Sequence, residues 1–211
     1  MFNAGPDLKE AVFSLFKEVW KKEECPSSWQ KTQIIQIFKG SGSAEDLENY
    51  RNIHLRSEVA KMFSHIVVTK VKGNLTKNMS EFQTCKPGHR SQENLYILKS
   101  LMSLNERYNQ IMILQMMDLE KFFDFENLVD VLEAAHNNEV TDKEYRLLYK
   151  MNERREIKVL TAVGESKTEI VSEGLSQGTL ESAPLSASST ARGIDIFFKD
   201  SEYEIYYNNK N

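Results

Sequence analysis

Cysteine and histidine are scarce in this chain, and long apolar runs are missing. Its 211 residues include two cysteines, Cys25 and Cys85, and four histidines, which lack the short paired spacings of a zinc site. A chain of this length needs no disulfide scaffold, so we expect reduced thiols and an intracellular location, in the cytoplasm or the nucleus. No apolar run is long enough to span a bilayer, and the N-terminus passes directly into an amphipathic pattern. From these features we expect no signal peptide and no membrane partner.

Charge is unevenly distributed along the sequence. Taken alone, the net charge of −4 argues against binding to nucleic acid. Residues 1–110, however, hold 16 Lys and Arg against 12 Asp and Glu, a net charge of +4, whereas residues 111–211 hold 11 against 19, a net charge of −8. This division suits a protein with a positive surface for polyphosphate and an acidic one for metal. A chance gradient of ordinary surface charge would give the same numbers.

Hydrophobic periodicity predicts a mixed protein of the α+β class. Forty per cent of the residues are hydrophobic, enough for one substantial core or two small lobes. Helical spacing predicts helices over residues 8–20, 55–71, 95–104, 125–136, 142–151 and 182–192. Apolar or β-branched runs predict strands over residues 33–38, 111–114, 157–163 and 169–171, and a closing hairpin from 197–198 and 203–207.

The segment from Met116 to Asp124 reads MMDLEKFFD and follows the predicted strand at 111–114. An acidic residue at the end of a buried strand is suited to hold a divalent metal over a phosphate, so Asp118 is a candidate metal ligand. Phe123 falls at the strand-to-helix turn and is a candidate floor for a nucleotide pocket. We expect Asp124 to cap the following helix. An unrelated α/β enzyme would need a second acid, base or nucleophile beside Asp118, and no such motif is visible.

This segment resembles the first palm motif of reverse transcriptases of the non-LTR retrotransposon type, whose pattern is close to D-L-x-K-A-F-D. The resemblance implies that Asp118 is catalytic and binds Mg²⁺, and that Phe123 screens the 2′ side of the incoming sugar. It also implies a right-hand polymerase fold, with residues 1–110 as a fingers-like region and residues 111–211 as part of a palm. The partners implied are an RNA template, a DNA primer and a dNTP.

An upstream block is similar to the fingers segment of the same enzymes, which has a W-x-x-x-x-I-x-P-I-x-K-like strand followed by N-Y-R-P-I. Trp29 begins the block, and the resemblance assigns Lys39 and Arg51 to the two cations that grip the triphosphate. A guanidinium fork and an ammonium group together neutralise a polyphosphate well. Asn52 stands where the family has proline, so we expect a less rigid turn after Arg51.

Two further blocks resemble motifs of this family, in the family's order. Residues 83–91 are similar to Q-x-G-F-R-x-G-x-S-T, which implies that Arg90 binds template, although Cys85 and Lys86 depart from the Gly-Phe pair. Residues 173–185 resemble the second palm motif, G-V-x-Q-G-S-x-x-S-P. There Gln177 would contact the nucleotide, and Gly178 would allow close backbone approach. An ordinary polar turn explains Gln177 and Gly178 equally well when this block is taken alone.

The family's Y/F-x-D-D motif is missing, because the chain contains no Asp-Asp pair. Two divalent cations must be held against their mutual repulsion by several carboxylates. We therefore expect fingers and a partial palm with an incomplete sheet, and weak or absent Mg²⁺ binding by this chain alone. The predicted function is a reverse transcriptase-like domain, a truncated copy without polymerase activity of its own. The alternative is a non-catalytic, nucleic-acid-binding remnant of a retroelement.

Overall fold

The structure is a computed structural model that describes residues 5–79, 83, 86, 88–114 and 121–200, the last nine by their backbone alone. The helices described are α1 (Pro6–Lys22), α2 (Glu58–Leu75), α3 (Ser91–Arg107), α4 (Phe122–Phe125), α5 (Leu128–Asn137), α6 (Asp142–Asn152) and α7 (Ser182–Asp200). The strands described are β1 (Lys31–Phe38), β2 (Tyr50–Leu55), β3 (Arg155–Thr161), β4 (Gly164–Glu165) and β5 (Glu169–Val171). The predicted α+β class is confirmed.

The strands form one mixed sheet in the order β2-β1-β3-β4, with β5 also paired to β3. β1 and β2 are antiparallel, so that Ile34 lies opposite His54. β1 and β3 are parallel, and β5 returns antiparallel to β3, where Val171 faces Arg155. The sheet therefore takes β1 and β2 from residues 1–110 and its other strands from residues 111–211.

The hydrophobic core lies where α2, α5, α6 and α7 pack together. Leu147, Leu148 and Met151 are buried on one face of α6, as expected for an amphipathic helix. Phe63 of α2 joins the aromatic residues near the N-terminus, and its ring centroid lies 5.3 Å from that of Trp29. Each large buried side chain of this kind contributes about 1.5–3 kcal/mol of hydrophobic free energy relative to leaving it in water.

The two faces of the sheet differ because side chains alternate along each strand. On one face, Thr32 and Ile34 are buried, and we call this the inner face. The opposite, outer face carries Ile35 and Ile37, which are exposed. Asn52 and His54 share the inner face with Ile34, whereas Arg51 lies opposite Ile37 on the outer face. This alternation decides which polar residues of β2 meet the rest of the protein.

The predicted strand at 111–114 is wrong. These residues form no ladder, and Ile111 and Ile113 are 93% and 90% exposed. Both edges of β1 are occupied, by β2 and β3, and the other edge of β3 is paired with β4 and β5, while the outer edge of β2 bonds instead to Gln177 O through His54 N–H. An apolar run becomes a strand only when it finds a pairing partner, and this run has none among the described residues.

Three local predictions are also wrong. Residues 197 and 198 lie within α7, so they do not start a hairpin, while residues 203–207 fall outside the described part of the chain. The helix after Asp124 is capped instead by Asn127, whose side chain accepts a hydrogen bond from Val129 N–H at 2.8 Å. Asn52 lies within β2, so no turn follows Arg51.

Among the helices of the described residues, none has the length and apolar character needed to cross a bilayer.

Candidate functional site

Two segments distant in sequence meet directly after α4. Gly174 N–H donates a hydrogen bond to Glu126 O at 2.9 Å, and Leu175 N–H donates to Phe123 O at 2.6 Å. Gly174 has a φ of 73°, and a Cβ built there would lie 2.7 Å from Asp124 O. Only glycine accommodates both the left-handed backbone and this approach. The end of the segment that resembles the first palm motif, residues 116–124, thus lies against the start of the segment that resembles the second, residues 173–185.

The second palm-like motif continues along the free edge of β2. His54 N–H donates to Gln177 O at 3.1 Å. Gly178 has a φ of 92°, and a Cβ there would lie 3.9 Å from the Ile53 side chain. Gln177 and Gly178 are therefore held beside the strand that carries Arg51. Phe123 contributes its backbone carbonyl to the same region, and its half-buried ring contacts the ring of Phe122, with 5.7 Å between centroids.

Lys39 and Arg51 lie near the turn of the β1–β2 hairpin. The Lys39 ammonium group donates to Glu48 O at 2.7 Å, and both Lys39 and Arg51 are exposed. The Glu48 carboxylate accepts a hydrogen bond from Lys121 Nζ at 2.9 Å, which ties this hairpin to the residues that follow Asp118. Arg51 points to the outer face, away from Asn52 and His54. Lys39 and Arg51 thus share one end of the sheet, and Arg51 lies across the sheet from the contacts of Gly174.

Arg90 stands apart from these residues, at the N-terminus of α3. Helix α3 begins at Ser91, and Arg90 occupies the capping position, where its N–H donates to Glu93 Oε2 at 3.2 Å. The Arg90 residue is exposed, and no residue of α3 is buried. Arg90 is therefore accessible to a large ligand, but the structure does not bring it into the cluster around Gly174.

Asp118 lies outside the described residues, so its role as a metal ligand stays a prediction. In the described part of the chain, no group of three or more His, Cys, Asp and Glu side chains is arranged to hold a metal ion. Asp124 is the first described carboxylate after Asp118, and the positive charges of Lys121 and Arg155 act on it. One carboxylate among cations does not fit a divalent metal. We therefore assign no metal-dependent step to the described residues.

A buried arginine organises the inner face beneath these contacts. Arg155 is only 2% exposed. Its guanidinium donates to Ser176 Oγ at 2.9 Å, to Gly174 O at 2.9 Å and to Glu173 O. These bonds fix the turn that precedes Gln177, because a single planar fork joins three of its polar groups. Arg155 begins β3 and was not predicted as a site residue.

Burial changes the protonation behaviour of this region. Burial, with the positive charges of Arg155 and Arg56, lowers the pKa of His54 to about 4, so its imidazole is neutral at pH 7. Partial desolvation raises the pKa of the Asp124 carboxyl, and burial lowers the pKa of Arg155. Sequence reasoning missed His54 and Arg155 because neither lies in a recognisable motif, and only the packing of four separate segments buries them.

No protein-family model matches this chain, and no curated protein matches it.

Proposed function

We propose that this chain is a reverse transcriptase-like domain that binds an RNA template paired with a DNA primer. The contact among three motif-bearing segments carries the proposal. Residues 121–126 bond to residues 174–175, and Gln177 bonds to β2. These segments lie far apart in sequence, and nothing in their composition requires them to meet. The family resemblance requires it, because the two palm motifs and the fingers strand surround one nucleotide.

The basic hairpin end supplies the chemistry for phosphate binding. Lys39 and Arg51 are exposed at the end of the sheet that Lys121 joins through Glu48. An ammonium group and a guanidinium there attract the backbone of a nucleic acid or the phosphates of a nucleotide. The excess of positive charge in residues 1–110 also favours the attraction of phosphate groups. In this proposal Arg90, on the exposed start of α3, contacts the template strand.

Binding and orientation are the proposed activities, and nucleotide addition by this chain alone is not among them. In the related polymerases Mg²⁺ activates the primer hydroxyl and neutralises the triphosphate. The chain has no Asp-Asp pair to complete a site with Asp118. This observation favours the second candidate function, a non-catalytic nucleic-acid-binding remnant of a retroelement. The two candidates share the binding surface and differ in whether catalysis is recovered when the missing carboxylates are supplied.

Titration of a fluorescent RNA·DNA duplex with the full chain tests the proposed binding. The triple variant Lys39→Ala, Arg51→Ala, Arg90→Ala removes three positive charges from the proposed surface. The control Lys150→Ala, Lys158→Ala, Lys167→Ala removes three positive charges from the second half of the chain, where Lys158 is half-buried and the other two are exposed. We expect the first triple variant to bind more weakly and to reduce the slope of log K against log salt by up to about three.

Two outcomes would contradict the proposal. The first is an equal loss of affinity in the two triple variants, which would show that only net charge matters. The second is a wild-type affinity that stays the same between about 50 and 200 mM salt, because phosphate contacts release counterions and must weaken over that range.

A further inference from the structure

Helix α3 leaves most of its apolar side chains exposed. None of its 17 residues is buried, and only Asn94, Leu98 and Asn105, which share one side of the helix, are half-buried against the rest of the chain. A helix of a globular protein normally turns its apolar side towards a core. The exposed apolar surface of α3 therefore indicates a contact with another protein chain.

Four apolar residues form a stripe along the exposed part of α3. They are Ile97, Leu101, Leu104 and Tyr108, and each is between 37% and 63% exposed. Tyr108 caps the helix and continues its spacing, because its N–H donates a hydrogen bond to Leu104 O at 3.1 Å. The four residues follow one another at intervals of four, three and four, which is the spacing of the seam in a coiled coil. We call them the α3 seam.

One edge of the α3 seam carries charges of opposite sign at its two ends. Glu93 lies in the first turn of the helix and Arg107 in the last turn, and both are exposed. Ser100 stands midway between them, and the interval of seven residues puts all three on the same side of the seam. The Glu93 carboxylate accepts a hydrogen bond from Arg90 N–H at 3.2 Å, and its remaining lone pairs suit a guanidinium.

We propose that α3 pairs with α3 of a second copy of this chain in an antiparallel arrangement. A two-fold axis near the middle of the helix places Glu93 of each copy beside Arg107 of the other. It also sets Ile97 of each copy against Leu101 of the other, in the two central layers of the seam. Each helix N-terminus then lies beside a C-terminus, so the two macrodipoles attract. A parallel pair would align the dipoles and put identical charges at the same level.

Charge complementarity selects a second copy as the occupant of this surface. From the first turn to the last, the edge is acidic at Glu93, neutral at Ser100 and basic at Arg107, so its reversed order is its own complement. A two-fold symmetric interface requires one surface patch that complements itself in this way. The arrangement needs no other protein to supply the opposite charges.

A second apolar stripe on α3 does not have this property. Leu95, Leu98 and Met102 border the half-buried side of the helix, and Lys99 lies on their outer edge at the middle of the helix. Antiparallel pairing of two copies along this stripe would bring Lys99 against Lys99 of the other copy. Like charges at that position repel, so the α3 seam is the favoured contact.

Sedimentation velocity of the full chain at increasing protein concentration, without nucleic acid, measures self-association. We expect a monomer–dimer equilibrium. Leu101→Ala removes an apolar side chain from both central layers and should weaken the dimer by about tenfold or more. Tyr96→Ala is the matched control, because Tyr96 is an exposed apolar residue on the other side of the same helix, and it should associate like the wild type. Circular dichroism melting checks that each variant folds.

Charge reversal tests the orientation of the pair. Glu93→Arg and Arg107→Glu each put like charges at both ends of an antiparallel dimer, and each should weaken self-association by about fivefold or more. In a parallel dimer each single reversal would leave association unchanged. An equal mixture of the two variants restores opposite charges at both ends and should form a mixed dimer more tightly than either variant alone. Both substitutions remain in the mixture, so this gain cannot come from a change in helix stability.

The proposal is overturned if the wild type remains monomeric at every concentration, or if Leu101→Ala and Tyr96→Ala weaken association equally. It is also overturned if the single charge reversals associate like the wild type, or if their mixture associates no better than either alone. The charge reversals lie at exposed residues, so they decide the matter even if Leu101→Ala does not fold. A failure to bind the RNA·DNA duplex would contradict the proposed function and leave the α3 pair standing, so the two proposals fail separately.

Discussion

The Arg56 guanidinium donates a hydrogen bond to the Glu181 carboxylate inside the protein, although 125 residues separate them in sequence. Their side chains are 3% and 1% exposed. Ser64 Oγ donates to the same carboxylate, and Arg56 Nη2 also donates to Met151 O at 3.3 Å. This pair joins the end of β2 to the start of α7 through α2 and α6. It holds the first half of the chain against the second.

Removal of one partner of this pair should destabilise the fold strongly. Glu181→Gln leaves the Arg56 charge buried without a counter-charge, and we expect a loss of about 3–5 kcal/mol in the free energy of unfolding. Urea denaturation measures it. The exposed pair Lys22–Glu18 provides the control, because Glu18→Gln breaks a water-exposed ion pair and should leave the free energy of unfolding nearly unchanged. Equal effects of the two substitutions would contradict the role given to Arg56 and Glu181.

Gly174→Ala should destabilise the protein by about 1–3 kcal/mol, because its φ of 73° is strained for alanine. The added Cβ would also collide with Asp124 O. Gly73→Ala is a useful comparison, since Gly73 lies in α2 and a Cβ there meets nothing within 4 Å. That substitution should stabilise the helix by up to about 1 kcal/mol. Thermal unfolding of both variants measures whether each substitution raises or lowers stability. A Gly174→Ala variant as stable as the wild type would show that the turn relaxes to accept the added Cβ.

Stability should fall in mild acid because of His54. The pKa of His54 in the folded state, about 4, is below its ordinary value of 6.5. The unfolded chain therefore binds a proton before the folded one does. The stabilising contribution of the neutral His54 to the free energy of unfolding is fully present above about pH 6.5. It is lost progressively towards pH 4, and the total loss is about 3 kcal/mol. Asp124 and Glu126 oppose this trend at the acid end, because burial raises the pKa of each.

Unfolding measured by urea at pH 7, 6, 5 and 4.5 should show this loss in the wild type. His54→Gln should flatten the pH dependence, whereas His65→Gln, on the exposed side of α2, should leave it unchanged. A wild-type stability that is constant from pH 7 to pH 5 would be inconsistent with a buried neutral imidazole at position 54.

Primer extension on a poly-A template with Mg²⁺ or Mn²⁺ should give no product above background. The reason is that the sequence has no Asp-Asp pair, so the two-metal site implied by the family resemblance would have Asp118 as its one recognised carboxylate. Asp118→Ala should behave like the wild type in this assay. A product that this substitution abolishes would show that the chain completes its metal site by other residues.

Local patterns predicted the amphipathic helices well. Helix α1 was predicted at 8–20 and spans Pro6–Lys22, and helix α6 was predicted at 142–151 and spans Asp142–Asn152. Helical spacing repeats every three or four residues, so a window of fifteen residues contains enough apolar positions to define a face. Strands β1 and β3 were also predicted, because each contains several β-branched residues close together.

Strand β2 and the run at 111–114 show which strands local sequence patterns fail to predict correctly. Tyr50–Leu55 is polar at several positions and was not predicted as a strand, yet it pairs along its length with β1. The run at 111–114 is more apolar and forms no strand among the described residues. A strand depends on a partner elsewhere in the chain, and that dependence cannot be read from six residues.

The sequence by itself determined the helices and the α+β class, since each depends on residues close together in the chain. Tertiary structure alone decided that Gly174 meets Asp124, that His54 is buried and neutral, and that Arg155 is buried beneath the turn at Gly174. The physical reason is that burial and hydrogen bonding at these residues are set by segments that are separate in the chain, such as β1 and β3, which come together only when the sheet and the helices have packed.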